Sequence, residues 1–138
     1  MPAMNSVFLD TSYAIALSAP NDEHHERAVE LAERLEDEGT QLITTRAVLL
    51  EIGNALSKAR HRQAAIRLLG ALESDPQVEI VAISDDLYEQ AFELYRNRPD
   101  KEWGLIDCMS FITMSKHSLQ DALTADDHFR QAGFRILL

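Results

Sequence analysis

Short apolar runs suited to buried strands alternate along this chain with longer stretches of helical periodicity, and that alternation restricts its fold more than any other feature. The runs are 7–9, 41–44, 78–83 and 134–138, with a shorter one at Ala122-Leu123-Thr124. Helical patterns cover 22–38, 46–60, 63–73, 85–96 and 105–116. Asn21 or Asp22 can cap the helix over 22–38, Gly39 can end it, and Thr45 and Ser84 can cap the helices that follow them. Strands separated by helices pair in parallel through right-handed crossovers. The pattern therefore predicts an α/β fold, a three-layer α/β/α sandwich with a mainly parallel central sheet. Pro99 and Gly104 bracket a charged loop whose inner side Trp103 is expected to seal.

At 138 residues one domain over 1–138 is expected, large enough to bury roughly 68% of the surface its unfolded chain exposes. No apolar run approaches the ~20 residues needed to cross a bilayer, and MPAMNSVFLD has no basic segment leading into a long apolar one. A cytoplasmic protein without a membrane segment is expected. Cys108 is the only cysteine, which excludes an intrachain disulfide and a cysteine-based zinc site. The net charge of −10 argues at first against a nucleic-acid partner. Its distribution weakens that objection: eight acids and two bases fall between Asp22 and Glu38, leaving −4 for the rest. Arg46, Lys58, Arg60, Arg62 and Arg67 form one basic group, and Arg96, Arg98 and Lys101 a second. Each is either a phosphate-facing surface or, the more ordinary reading, a solvated helix face.

In open parallel sheets, ligands bind beyond the carboxyl ends of the strands. Asp10 directly follows the first strand and Asp126 follows 122–124, so both are expected to face that crevice. Glu51 lies about two turns into the helix over 46–60, and Asp107 in the first turn of the helix that opens near Gly104. Val48, Ile52, Ala55 and Ala59 make a core-facing stripe from whose middle Glu51 lies about 60° away, at the border of the core. Asp107 stands in a helix that is apolar nearly all round. Ionised carboxylates in such places require compensation. A helix N-terminus supplies a few tenths to about 1 kcal/mol, which is too little alone.

Taken singly, each acid has an ordinary reading. Asp10 with Thr11 and Ser12 can cap a helix, Glu51 can pair with Arg46, Asp107 can cap its own helix, and Asp126 and Asp127 can begin a turn. Taken together they make a set of hard oxygen ligands suited to Mg²⁺ or Mn²⁺. His24-His25-Glu26 lies on the acidic helix with no third ligand at helical spacing and reads as a solvated segment. His61, His117 and His128 are scattered and leave no obvious seat for a histidine acid and base. Glycine-rich phosphate loops, nucleophile elbows and zinc-protease motifs are absent from the sequence.

Four segments carry a resemblance: 7–12 (Val-Phe-Leu-Asp-Thr-Ser), Glu51 within 49–56, 105–111 around Asp107, and 122–129 (Ala-Leu-Thr-Ala-Asp-Asp-His-Phe). In this order the chain resembles a PIN domain of the VapC toxin type. Asp10, Glu51, Asp107 and Asp126 fall on the family's acidic positions, and Thr11 or Ser12 on its hydroxyl. Asp127 competes for the fourth place, standing where family members often carry a base. The resemblance implies a magnesium-dependent endoribonuclease, commonly a homodimer, with RNA as substrate and a small antitoxin protein as partner. In that mechanism Asp10, Glu51 and Asp107 hold one or two Mg²⁺ ions, with Mn²⁺ as a substitute, and Asp126 completes the site directly or through water. Thr11 or Ser12 positions water or phosphate.

Two other classes stay open. One is a PIN-like module that binds RNA or protein without cutting. The other is a phosphoaspartyl enzyme, opposed by Ser12 where a second Asp is wanted and by the lack of a lysine after a late strand. The acidic helix, with Ala28, Leu31, Ala32 and Leu35, is expected to pack within the domain rather than against a partner.

Overall fold

Five strands and seven helices follow one another in the computed structural model, which describes residues 6–138. Residues 1–5, part of the segment from which the absence of an export leader is inferred, lie outside the described residues. The elements are β1 (Ser6–Leu9), α1 (Thr11–Ser18), α2 (His25–Asp37), β2 (Gln41–Thr45), α3 (Arg46–Ala55), α4 (Ala59–Ser74), β3 (Val78–Val81), α5 (Asp85–Asn97), α6 (Leu105–Lys116), β4 (Asp121–Leu123), α7 (Asp127–Gln131) and β5 (Arg135–Ile136).

The strands form one sheet in the order β3-β2-β1-β4-β5, and every pairing is parallel. Phe8 pairs with Ile43 on one side and Ala122 on the other, so β1 is central. Val7, Phe8 and Leu9 are all buried, as a strand covered on both faces requires. From β1 the chain builds outward through β2 and β3, then crosses back to lay β4 and β5 on the other side. Such a reversal opens a crevice at the carboxyl ends of β1 and β4. One helical layer contains α1 to α4, and α5 and α6 pack together on the opposite face. An aromatic chain ties α6 to the sheet: Phe111 meets Trp103 and Phe129 edge-on at 5.0 Å each, and Phe129 lies 6.1 Å from Phe8. Among the described residues no helix is long and apolar enough to cross a membrane.

Several expected features are in place. The Thr45 and Ser84 hydroxyls accept from the backbone N–H groups of Val48 (3.1 Å) and Leu87 (3.0 Å). Gly39 ends α2 at φ 65°, the left-handed turn that favours glycine. Trp103 is buried and donates from Nε1 to Gln131 at 3.1 Å. Ala28, Leu31 and Leu35 of the acidic helix are buried, and α2 packs on α1 within the domain.

Other boundaries need correction. α2 starts at His25, not 22, because the Asp22 carboxylate accepts from the His24 N–H at 2.8 Å and closes a separate turn first. The helix expected over 46–60 ends at Ala55, and the next begins at Ala59 instead of 63. Ala55 and Ala59 are exposed; Leu49 and Leu56 join Val48 and Ile52 in the core. Gly53 and Asn54 weaken the helix, and breaking it buries Leu56 while folding α4 back along α3. β3 stops at Val81, opposite Thr45, where β2 itself ends. The run 134–138 is a strand only at Arg135–Ile136, although Leu137 and Leu138 still donate to Ala122 and Thr124 carbonyls. Finally, α1 had no bounds in sequence: with Thr11, Tyr13, Ala14 and Ala16 all buried, it shows no stripe.

Candidate active site

Each of the four acids enters the crevice from a different element. Asp10 is the first residue beyond β1; its backbone N–H donates to the Leu123 carbonyl at 3.2 Å, which fastens the end of β1 to the end of β4. Its side chain is 5% exposed. Burial pushes its carboxyl from 3.8 up to about 7; hydrogen bonds from Thr124 and the Thr11 backbone oppose the rise, and the nearby charges of Glu51 and Asp107 add to it. Glu51 reaches the site from the middle of α3 and accepts a hydrogen bond from the Thr11 hydroxyl.

Asp107 is the third residue of α6, where its Oδ2 accepts from the Gly104 N–H at 3.2 Å. The expected cap is therefore real, and the same carboxylate also lies at the site. Burial raises its pKa, the Gly104 and His128 hydrogen bonds oppose this, and the charge of Asp126 adds to it. Asp126 caps α7 by accepting from the His128 N–H at 2.9 Å. Its side chain is 35% exposed, whereas Asp127 is 61% exposed and paired with Arg130. Of the two competitors, only Asp126 joins the cluster.

Two residues at the site were missed in sequence. Thr124, at the end of β4, is fully buried and donates from its hydroxyl to Asp10 Oδ2 at 2.8 Å. With its one proton committed, its oxygen accepts from the Ser12 hydroxyl and the Asp126 N–H, each at 3.0 Å. Ser12 in turn accepts from the Ala125 N–H at 3.0 Å. Ser12 thus acts through Thr124 and braces the β4–α7 loop, while Thr11 braces Glu51.

The second is His128, for which the sequence offered no seat. Its Nδ1 lies 3.1 Å from Asp107 Oδ2 and 3.5 Å from Asp126 Oδ1. Asp107, Asp126 and His128 each offer a ligand atom within 4.8 Å of the others. The usable signal was local: Thr124, Asp126 and His128 alternate immediately after an apolar run.

The donor set fits a hard divalent cation. Among the described residues no lysine or arginine pairs with Asp10, Glu51, Asp107 or Asp126. Asp10 is buried and Glu51, Asp107 and Asp126 are half-buried, and carboxylates gathered there without a lysine or arginine are stabilised by a metal ion. The cluster can coordinate a divalent metal. Cys108 is no part of it, since burial pushes its thiol up to about 11.

Comparison with known proteins gives the family. The PIN domain family model matches residues 7–135. Over 128 residues the chain is 30% identical to the 23S rRNA-specific endonuclease VapC20 of Mycobacterium tuberculosis, covering 93% of this chain and 95% of that protein. The crystal structure of VapC20, described as a sarcin-ricin loop cleaving toxin, superposes with a TM-score of 0.81 at 29% identity, again over 93% and 95% of the two chains. VapBC2 from Rickettsia felis, solved bound to a DNA fragment from its promoter, shares the fold with a TM-score of 0.66 at 15% identity over 95% and 96%. The chain belongs to the PIN domain family and is of the VapC type.

Proposed function

We propose that this chain is a magnesium-dependent endoribonuclease, the toxin of a toxin–antitoxin pair, that hydrolyses RNA phosphodiester bonds. The observation that carries this is the convergence of Asp10, Glu51, Asp107 and Asp126 on one sheet edge, where among the described residues no lysine or arginine pairs with them. Asp10, Glu51 and Asp107 would hold Mg²⁺, for which Mn²⁺ can substitute, and Asp126 would complete the set. When bound, such an ion activates a water for attack and offsets charge on the departing oxygen. Thr124 keeps an Asp10 oxygen aimed by its hydroxyl, and Thr11 does the same for Glu51. His128 Nδ1, hydrogen-bonded to Asp107 and 3.5 Å from Asp126 Oδ1, stands between these two carboxylates and fixes their spacing.

VapC20 supports structured ribosomal RNA as the substrate class. Ribosomal RNA in turn supports a cytoplasmic location, and the match over 7–135 supports one domain over 1–138. A small antitoxin protein is the proposed partner, supported by the VapBC2 assembly. A homodimer is supported by α5, where Tyr88, Phe92 and Tyr95 stack in a row at 6.3 and 6.4 Å with 41–47% of each exposed. Asp85 and Asp86 stand in the first turn of α5 and Arg96 in its last, so an antiparallel pairing of two copies brings opposite charges together.

The test is incubation of purified protein with a 23S rRNA fragment containing the sarcin-ricin loop and with an unrelated RNA. Cleavage is expected with Mg²⁺ or Mn²⁺ and none with EDTA. A folded, metal-supplied protein that binds these RNAs without cutting them would leave the non-catalytic binding module as the correct reading.

A further inference from the structure

Acidic groups outnumber basic ones in this chain by 23 to 13, yet one stretch contains none of them. Residues 52–72 carry Lys58, Arg60, Arg62 and Arg67 and no Asp or Glu. Among the described residues, eight of the other nine bases have an acidic partner: Arg27, Arg34, Arg46, Arg98, Lys101, Lys116, Arg130 and Arg135. The ninth, Arg96, lies over the Phe92 ring at 5.8 Å. Lys58, Arg60, Arg62 and Arg67 are exposed, and among the described residues they pair with no carboxylate. Arg62 is instead steadied by donating to the Ser57 carbonyl at 2.7 Å.

Topology puts these four on the helical hairpin that also carries Glu51. α3 leaves the carboxyl end of β2 and α4 folds back along it, their bases joined by the Arg46–Glu73 ion pair and the last turn of α3 set against Leu69 of α4 at Gly53. The turn at 56–58 is thus the far tip of a hairpin that carries Glu51 on its first arm, about 10 Å along from that acid. Arg60 and Arg67, two turns apart, lie within about 20° of the same face of α4. A polyanion drawn to an acidic metal site needs positive charge close by that is not already neutralised, and these residues supply it.

We propose that Lys58, Arg60, Arg62 and Arg67 form a phosphate grip that holds the RNA backbone against the carboxylate site, an inference that rests on the nuclease reading above. Single-base selectivity is not its task, because phosphate contacts position a nucleic acid without reading it.

The test uses an Asp10→Asn parent, which leaves RNA uncut, and two labelled RNAs: the sarcin-ricin hairpin and an unrelated single strand. Fluorescence anisotropy is followed from about 50 to about 200 mM salt, the range over which phosphate contacts dominate the salt dependence. Lys58→Gln/Arg60→Gln/Arg62→Gln should weaken binding of both RNAs at least tenfold and flatten the plot of log Kd against log salt by about 2 to 3. Charge-preserving Arg60→Lys/Arg62→Lys should keep most of the affinity, and Arg27→Gln/Arg34→Gln on α2 should change nothing. In a wild-type background the triple variant should raise KM while kcat and calorimetric Mn²⁺ binding stay unchanged. Unaltered affinity and slope in the triple variant, beside a wild type that cuts RNA, would overturn the grip alone. A wild type that neither binds nor cuts any RNA would overturn the nuclease reading with it. Loss of antitoxin binding at unchanged RNA affinity would overturn the grip by assigning the patch to a protein partner.

Discussion

Asp10→Asn separates the chemistry of the site from its cost to the fold. Asparagine retains an oxygen that can accept the 2.8 Å hydrogen bond from Thr124, so packing at the β1–β4 junction is kept while the charge is removed. In the wild type the Asp10 carboxyl is raised from 3.8 to about 7. A carboxyl whose folded pKa lies above its unfolded value stabilises the fold while protonated. That contribution is complete below about 3.8 and is lost as pH rises through about 7. At about 1.36 kcal/mol per pH unit the full loss is about 4 kcal/mol. With EDTA present, Asp10→Asn should therefore exceed the wild type in stability by less than about 1 kcal/mol at pH 4 and by about 4 kcal/mol at pH 8. Urea denaturation at the two pH values measures this directly. Adding Mn²⁺ at a hundred times its Kd should return about 2.7 kcal/mol to the wild type and far less to the variant. The same variant should lose cation-dependent RNA cleavage. Parallel stability profiles for the two proteins across pH would refute the claim that an ionised Asp10 strains the empty site.

Asp126→Asn should weaken Mn²⁺ binding by about tenfold or more in calorimetry, whereas Asp127→Asn, which loses only an exposed pair with Arg130, should change affinity little and stability by at most about 1 kcal/mol. Thr124→Val leaves a buried Asp10 oxygen and the Asp126 N–H without a partner; a stability loss of about 1–3 kcal/mol by urea titration and a larger drop in kcat than in KM are expected. Phe92→Glu puts a charge in the middle of the exposed aromatic row, so light scattering should report a monomer if α5 is the dimer surface, with the fold intact because the residue is not in the core.

Strand and helix order was legible because it rests on periodicity. A central strand such as 7–9 must be apolar on both faces, and capped amphipathic helices such as α5 advertise their start and buried stripe. Legibility failed where a second force outweighed periodicity. Ala55 and Ala59 continue the spacing of Val48 and Ile52, yet two alanines bury too little surface to hold a helix that Gly53 and Asn54 already weaken, and burial of Leu56 ends it. α1 was hidden for the opposite reason: covered by α2, α3 and α4, it has no polar face to alternate with.

The site was legible in its charges and not in its supports, and the physics of burial accounts for the difference. A carboxylate at the border of an apolar run is conspicuous because it needs a compensating partner. A threonine or histidine in the same place is ordinary, since a single hydroxyl or ring nitrogen finds a hydrogen bond almost anywhere. Thr124 gains its role only when β4 lies beside β1, which brings together residues 114 positions apart in sequence. His128 gains its own only when Asp107, carried by another helix, stands opposite it. The same closure that packs Phe129 against Phe8 beneath the crevice therefore also gathers the repelling acids above it. Folding the core and assembling the carboxylate cluster are one event, so the pH dependence of stability set by Asp10 reports on the whole sheet edge rather than on one side chain.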